Sequence, residues 1–315
     1  MDFLLVLVGL LLLLGAGDAL VRGAVNLSLR LGIPALVVSL TIVAFGTSAP
    51  ELLISISAIL DGVPGLAMGN VVGSNTANVL LVLGVPAIIS GLHSSAHDTR
   101  TSYLQMMGAT VLFVALAFTG GFTWPKGLVL VGVLIAILVW TLRQAQTHRT
   151  ADVHVDIEEA VEGADPDMPW WKIIALLFVG LIGLPLGAEI LVRSATSIAT
   201  QFGVSEAVIG LTLVAIGTSL PELATTVMAA IRKQADVALG NVIGSNMFNI
   251  LAIVGLSSFL GEIPVEARVM QVDIWVMAGA SVLLGYFVLR ARDITRLWGV
   301  LLIALYVVYL LSMFM

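Results

Sequence analysis

Long apolar stretches separated by short polar clusters run along the whole chain. Each apolar stretch is roughly 17–29 residues long, which is the length that a helix needs to cross a bilayer with some tilt. The pattern therefore predicts an all-α integral membrane protein with ten transmembrane helices. The predicted spans are 3–28, 33–60, 65–91, 103–119, 125–142, 172–200, 204–231, 236–260, 270–290 and 294–314.

Two sequence motifs each occur twice, and the copies of each are 171 positions apart. The first motif reads AFGTSAPE at 44–51 and AIGTSLPE at 215–222, in the middle of apolar stretches. The second reads GNVVGSNTAN at 69–78 and GNVIGSNMFN at 240–249. This repetition indicates that the chain consists of two related halves.

The two halves are predicted to be 1–142 and 172–315, with repeat cores at 33–91 and 204–260, joined by an acidic linker at 143–171. Because each half contains five spans, an odd number, the second half must cross the membrane in the opposite sense. Inverted repeats of this kind are common in secondary transporters, whose binding sites lie near the membrane midplane where the repeats meet.

The distribution of Lys and Arg predicts the orientation of the chain in the membrane. In the connections and at the adjoining ends of the spans, ten of these residues fall on the same side as the linker and two fall on the other side, with Arg22 and Arg193 not counted because they lie within spans. Positive residues concentrate in cytoplasmic loops, so we expect a cell-membrane protein with a cytoplasmic linker and both termini outside the cytoplasm. The ten are Arg30, Arg100, Arg143, Arg149, Lys172, Arg232, Lys233, Arg290, Arg292 and Arg296, and the two are Lys126 and Arg268.

Composition supports the membrane prediction and narrows the chemistry. Apolar residues make up 59% of the chain and charged residues 11%, against about 25% charged residues in soluble domains. The net charge of −6 is concentrated in the linker and does not indicate nucleic acid or another anionic partner. The chain has no Cys and only four His, which argues against thiolate chemistry and a transition-metal site. No cofactor is expected. The oligomeric state stays open, and a monomer would be sufficient.

Glu51 and Glu222, the last residues of the two copies of the first motif, lie near the middle of predicted spans. A carboxylate at that depth costs about 2.5–3.5 kcal/mol on insertion scales and is ordinarily functional. No Lys or Arg is close to either residue in sequence, so a bound cation is the natural compensation. Pro50 and Pro221 favour this interpretation, because a proline cannot donate to the helix and leaves a carbonyl free to bind a cation.

Hydroxyl and amide side chains accompany each glutamate. Hydroxyl residues precede it by three and four positions and share its helix face, and the second motif carries an Asn, Ser, Asn stripe at i, i+4 and i+8. Such oxygen ligands suit Na⁺ or Ca²⁺ rather than a soft metal, although an Asn and Ser face can equally serve helix packing. The residues are Thr47, Ser48, Asn70, Ser74 and Asn78 in the first half and Thr218, Ser219, Asn241, Ser245 and Asn249 in the second.

Two further pairs of opposite charges lie closer to the ends of the predicted spans. Asp18 with Arg22, and Glu189 with Arg193, are each spaced i, i+4. Side chains at this spacing face each other on a helix and can neutralise each other. We interpret them as structural ion pairs rather than as an ion pathway.

The repeated motifs G-T-S-x-P-E and G-N-V-x-G-S-N-x-x-N resemble the α-repeats of the cation/calcium exchanger superfamily, specifically those of prokaryotic sodium/calcium exchangers. The resemblance covers essentially the whole chain. It implies an antiporter, not an enzyme, in which spans 2, 3, 7 and 8 form an ion-binding core. Spans 1 and 6 would be long tilted helices that slide against that core in alternating access.

The resemblance also implies which motif residues bind Ca²⁺ and which bind Na⁺. Ca²⁺ would be held by Glu51 and Glu222 with the backbone carbonyls of Thr47 and Thr218. Asn78 and Asn249 would complete the centre, and flanking Na⁺ sites would use one carbonyl and two hydroxyls from each half. These Na⁺ ligands would be Ala44, Ser48 and Ser74 in one half and Ala215, Ser219 and Ser245 in the other.

The sequence departs from some relatives at Asn249, where potassium-dependent exchangers that resemble it carry Asp. This departure argues against coupling to K⁺ and against a proton-titrating role at that position. A proton/calcium antiporter of the same superfamily remains an alternative, but it would usually carry more acidic residues in the second motif. A cation channel is an alternative of a different class, and a membrane enzyme is the weakest because no nucleophile and base pair is visible.

Ion gradients favour three Na⁺ per Ca²⁺. With a 10⁴-fold inward Ca²⁺ gradient and ~100 mV, inside negative, exporting one Ca²⁺ costs about 10 kcal/mol. Each Na⁺ that enters down a tenfold gradient yields about 3.7 kcal/mol under the same potential. Two Na⁺ therefore fall short and three suffice, and the predicted exchange is electrogenic.

Overall fold

The computed structural model describes residues 2–92, 99–148, 164–203 and 215–313. Its regular structure in these ranges is helical, and β-pairing there is limited to two isolated bridges. The α-helices are α1 Asp2–Leu31, α2 Ala35–Val38, α3 Ala44–Thr47, α4 Ala49–Leu60, α5 Pro64–Ala77, α6 Gly84–Ser90, α7 Arg100–Ala117, α8 Trp124–His148, α9 Trp170–Gln201, α10 Ala215–Gly217, α11 Leu220–Ile231, α12 Ala235–Phe248, α13 Val254–Ser257, α14 Ile274–Leu289 and α15 Arg296–Ser312.

The helices are apolar and long enough to make the chain an integral membrane protein. Among the described residues, six stretches could each cross a bilayer. Ala35–Thr47 and Ala49–Leu60, which meet at an angle of 41°, could together form a seventh span. The helices α11 and α15 are apolar but shorter. The predicted start of the seventh span, at 204–214, lies outside the described residues. The six stretches are Asp2–Leu31, Pro64–Ser90, Trp124–Gln144, Trp170–Gln201, Ala235–Ser257 and Val269–Leu289.

The two longest helices, α1 and α9, pack against each other along their length. Glycines make this close approach possible, as small residues do in other membrane helix pairs. A Cβ atom on Gly180 would lie 2.5 Å from the Cβ of Leu20, and one on Gly9 would lie 2.8 Å from the backbone nitrogen of Leu191. These two contacts are eleven residues apart on each helix, which is about three helical turns, so α1 and α9 are closely packed over several turns.

The helix α12 lies in the interior of the described structure, since all of its residues except Asp236 are buried. It packs directly on the first half of the chain. A Cβ atom on Gly244 would lie 2.7 Å from the carbonyl oxygen of Leu40, and one on Gly240 would lie 3.1 Å from that of Leu36. The second motif of one half is therefore placed against the helix that leads into the first motif of the other half.

Short π-helical segments occur within the described helices, and two of them begin at equivalent positions of the two repeats. Asn78–Val82 follows α5, and Asn249–Ile253 follows α12. A π-helical turn shifts the hydrogen-bond ladder by one residue, and such turns are frequent at functional sites. Each segment starts on the last Asn of the second motif, which was predicted as a site residue.

Candidate cation site

The first motif breaks the helix in both halves. In the first half α3 ends at Thr47, Ser48 leaves the helical conformation with φ −83° and ψ 3°, and α4 begins with Pro50 in its first turn. In the second half Ser219 has nearly the same conformation, φ −87° and ψ 5°. The glutamates therefore come just after a break, in the first turns of α4 and α11, where the helix dipole favours negative charge.

Glu51 and Glu222 are almost completely buried, each with 1% of its surface exposed. The two carboxylates lie close enough to repel each other. Ser48 donates a hydrogen bond to Oε1 of Glu222 at 3.1 Å, and the hydroxyls of Thr47 and Ser245 lie beside the same carboxylate. No Lys or Arg among the described residues forms an ion pair with either glutamate. The helix breaks of the two halves thus bring two uncompensated negative charges together.

The motifs of the two halves interlock around these carboxylates. The hydroxyl of Thr47 donates to Oδ1 of Asn241 at 3.2 Å and lies 3.4 Å from the hydroxyl of Ser245. Asn241 in turn donates to the hydroxyl of Thr226 at 3.2 Å. In the first half, Asn70 donates to the backbone carbonyl of Glu51 and to Ser55, both at 3.0 Å. The NH₂ groups of Asn70 and Asn241 therefore tie the second motif of each half to the glutamate-bearing helix of the same half.

Most of the predicted site residues are brought together in the interior. The Ala44 carbonyl already accepts a hydrogen bond from the Ser48 amide at 3.0 Å, and it lies 3.3 Å from the Thr47 hydroxyl, whose single proton is shared between this carbonyl and Asn241. Thr218 is half-buried and lines a cleft beside α9, and only the backbone of Ala215 is described. The buried members are Ala44, Thr47, Ser48, Glu51, Ser74, Asn78, Ser219, Glu222, Ser245 and Asn249.

Five oxygen atoms of these residues are buried without a hydrogen-bond partner. Buried polar atoms in proteins are almost always paired, and an exception calls for an explanation such as a bound ion. Among the described residues only eight side-chain N or O atoms are in this state, so the site holds most of them. The described ranges contain no group of three or more His, Asp and Glu that could hold a metal, and the unpaired oxygens here belong to two carboxylates and to neutral amide and hydroxyl groups. The five atoms are Oε2 of Glu51, Oε2 of Glu222, Oδ1 of Asn78, Oδ1 of Asn249 and Oγ of Ser219.

The structure contains both predicted ion pairs and adds a further partner to one of them. Arg232, just after α11, forms an ion pair with Oδ1 of Asp18. The guanidinium of Arg22 lies farther away, with 4.0 Å between Nη1 of Arg22 and Oδ2 of Asp18. The predicted Asp18 and Arg22 ion pair is therefore present, but it is part of a group of three charges, because Arg232, which is distant in sequence, also pairs with Asp18. Glu189 and Arg193 do pair, at 2.5 Å, and both side chains are exposed.

Two asparagines that sequence reasoning did not assign also belong to the site. Asn75 and Asn246 lie at equivalent positions of the second motif and are each 1% exposed. Asn246 accepts from Asn78 at 3.0 Å, and Asn75 accepts from Asn249 at 2.9 Å. The signal that could have found them is that both repeats carry Asn directly after the motif serine.

Residues 1–143 and 172–315 of the chain match the family model described as "Sodium/calcium exchanger protein". The chain belongs to the sodium/calcium exchanger family. The resemblance read from the repeated motifs is thereby confirmed, and the protein is a membrane antiporter of the cation/calcium exchanger type. Its helical architecture is that of a solved exchanger, NCX_Mj. A structure of NCX_Mj soaked with 2.5 mM Na⁺ and 1 mM Sr²⁺ is 33% identical, with a TM-score of 0.82 over 98% of this chain and 97% of that one.

Curated relatives of this sodium/calcium exchanger family member include proteins with different coupling ions in their names. The sodium/calcium exchanger MaX1 of Methanosarcina acetivorans is 32% identical over 345 residues, covering 99% of this chain and 98% of MaX1. The Ca(2+)/H(+) antiporter ChaA of Bacillus subtilis is 30% identical over 212 residues, covering 64% of this chain and 60% of ChaA. Membership of the family therefore leaves the coupling ion to be argued from the site.

Proposed function

We propose that this protein exchanges Na⁺ for Ca²⁺ across the cell membrane by alternating access, with about three Na⁺ per Ca²⁺. The observation that carries the proposal is the set of five unpaired buried oxygens contributed by both halves around Glu51 and Glu222. Two carboxylates neutralise one Ca²⁺, and the neutral oxygens around them help to reach the six to eight ligands that this ion takes.

Ca²⁺ and Na⁺ would compete for the same carboxylates. In this proposal Ca²⁺ binds Glu51 and Glu222 together with the carbonyls of Thr47 and Thr218, and the amide oxygens of Asn78 and Asn249 complete the centre. Na⁺ would occupy flanking positions, where one carboxylate oxygen meets hydroxyls and a carbonyl. The flanking ligands would be Ala44, Ser48 and Ser74 in one half and Ala215, Ser219 and Ser245 in the other.

Sodium is favoured over the proton as the coupling ion by the chemistry of the second motif. The residues that reach the centre from α5 and α12 are the amides Asn78 and Asn249, which accept a cation through oxygen but do not take up a proton near neutral pH. MaX1, named as a sodium/calcium exchanger, also matches nearly the whole chain. Proton coupling, as in the name of ChaA, is the second candidate function and is supported by that partial match.

The proposed stoichiometry predicts a current that does not need K⁺. Two glutamates balance one Ca²⁺, whereas three Na⁺ carry one more positive charge, so each cycle moves net charge. On a solid-supported membrane with all K⁺ replaced by choline, addition of Ca²⁺ to Na⁺-loaded proteoliposomes should give a current whose sign corresponds to positive charge leaving the vesicles. Flux that stops without K⁺, or flux without current, would contradict the charge count.

The proposal includes ten transmembrane helices in two inverted five-helix repeats, 1–142 and 172–315, with the 143–171 linker in the cytoplasm. Because the chain contains no Cys, a single introduced cysteine is the only thiol that can react, and its labelling shows on which side of the membrane it lies. A cysteine placed within residues 152–167 should react with an impermeant maleimide only from the cytoplasmic side. One replacing Thr119, in the exposed turn between α7 and α8, should react only from outside. The reverse pattern, or labelling of both from one side, would refute the inverted arrangement.

An asymmetry between the halves supports alternating access. Beside α9, a cleft of about 450 Å³ reaches Leu53 and Pro221 next to the carboxylates. At the equivalent place beside α1 there is close packing: a Cβ atom on Gly17 would lie 3.0 Å from the carbonyl oxygen of Ala224, and Asp18 is paired with Arg232. With the proposed orientation, the open side faces outward and the closed side faces the cytoplasm.

A further inference from the structure

A reciprocal pair of amides lies where α5 and α12 cross. Asn75 donates through Nδ2 to the backbone carbonyl of Asn246 at 3.2 Å, and Asn246 donates through Nδ2 to the backbone carbonyl of Asn75 at 3.4 Å. A backbone carbonyl can only accept a hydrogen bond. The NH₂ groups of both side chains are therefore fixed toward the opposite helix, and their Oδ1 atoms must face the other way.

Those two Oδ1 atoms determine the orientation of the next pair of amides. Oδ1 of Asn75 accepts from Nδ2 of Asn249 at 2.9 Å, and Oδ1 of Asn246 accepts from Nδ2 of Asn78 at 3.0 Å. Because an amide oxygen cannot donate, Asn78 and Asn249 must present their NH₂ groups to these partners. Their own Oδ1 atoms then point away, and both are buried without a partner among the described residues.

We propose that Asn75 and Asn246 are positioning residues that turn the carbonyl oxygens of Asn249 and Asn78 toward the cation. The proposal rests on the proposed function, in which the latter two residues are ligands. An asparagine side chain whose amide is free to flip would offer the cation an NH₂ group, whose partial positive charge repels it. The hydrogen-bond chain excludes that orientation, since it begins at a backbone carbonyl whose polarity is fixed.

Each positioning residue acts on a ligand of the other half of the chain. Asn75 is three positions before Asn78 on the same helix, but it bonds to Asn249, and Asn246 bonds to Asn78. A role in general packing would not distinguish the two possible partners. The orientation role does distinguish them, because removing Asn75 should matter only as long as Asn249 is present.

Double-mutant cycles on Ca²⁺ affinity test this, using isothermal titration of the purified full-length protein with Ca²⁺. We expect Asn249→Ala to weaken binding by about tenfold and Asn75→Ala by several-fold, since hydrogen-bonded groups around a charge contribute on this scale. The double variant should bind no more weakly than Asn249→Ala alone. The control is Asn75→Ala with Asn78→Ala, which should show the product of the two single effects, as independent sites do.

The outcomes separate this inference from the proposed function. If Asn249→Ala and Asn78→Ala weaken binding but both cycles are multiplicative, the ligand assignment stands and the positioning role is refuted. If Asn249→Ala leaves Ca²⁺ affinity unchanged, the ligand role of Asn249 is refuted and the positioning role falls with it. If Asn75→Ala does not fold, the same test can be made in the other half of the site. There, Asn246→Ala is combined with Asn78→Ala, and the control combines Asn246→Ala with Asn249→Ala.

Discussion

Replacing Glu51 by Gln should abolish Ca²⁺ transport in proteoliposomes while the protein still inserts into membranes and purifies. Glu51 is buried, lies near the like-charged Glu222, and has one oxygen without a hydrogen-bond partner among the described residues. The variant leaves one negative charge for a divalent ion. Breaking a buried charge pair costs about 3–5 kcal/mol, so we expect Ca²⁺ affinity to fall by roughly a hundredfold or more. Glu222→Gln should behave in the same way.

A matched control is available at Glu189, a membrane-helix glutamate that is exposed and paired with Arg193. Glu189→Gln removes the same charge and should leave exchange within a few-fold of the unmodified protein. Transport would be measured as ⁴⁵Ca²⁺ uptake at several Ca²⁺ concentrations, with circular dichroism to verify folding. Near-normal uptake by Glu51→Gln would remove this residue from the site.

Linking α1 to α11 should stop transport without destroying ion binding. In the proposed alternating-access mechanism α1 and α9 slide past the core, and the ion pair of Asp18 with Arg232 joins α1 to a helix of that core. In a chain without native Cys, cysteines at these two positions can be joined by a short bifunctional methanethiosulfonate. We expect the linked protein to lose nearly all ⁴⁵Ca²⁺ flux and to recover it when a reductant cleaves the link.

The control for this experiment joins the two helices that should move together. Ser197 of α9 donates a hydrogen bond to Asp2 of α1 at 2.7 Å, so cysteines at these positions can be linked with the same reagent. That link should leave transport largely intact, because it constrains nothing that has to slide. Full transport through the Asp18 and Arg232 link would show that α1 does not move relative to α11. Loss of Ca²⁺ binding in the linked protein would indicate damage rather than a trapped state.

The helices and the site motifs could be predicted because they follow from local chemistry. Local sequence is enough to indicate an apolar helix, a helix break at a proline and a repeated Glu. The breaks at Ser48 and Ser219, for example, follow from Pro50 and Pro221. The repeat also predicted which residues share a role. These features need no knowledge of which helices touch.

Contacts between distant segments could not be predicted in the same way. The pairing of Asp18 with Arg232 depends on how α1 crosses α11, whereas the sequence showed only that Arg22 is one helical turn from Asp18. The crossing of α5 and α12 likewise makes Asn75 the partner of Asn249. From the sequence alone, the Asn and Ser stripes were compatible both with packing and with ion binding. The structure shows that the NH₂ group of Asn70 donates to the glutamate-bearing helix of its own half, whereas that of Asn78 donates to Asn246 of the other half.

Coupling of Ca²⁺ movement to Na⁺ is the central claim, and one flux measurement tests it most directly. Proteoliposomes containing the purified protein would be loaded with Na⁺ and diluted into Na⁺-free, K⁺-free choline medium with ⁴⁵Ca²⁺. A parallel set would carry only a proton gradient, and the Glu51→Gln variant would give the background. We expect rapid uptake with the Na⁺ gradient and only background uptake with the proton gradient. Uptake driven by the proton gradient in the absence of Na⁺ would contradict it.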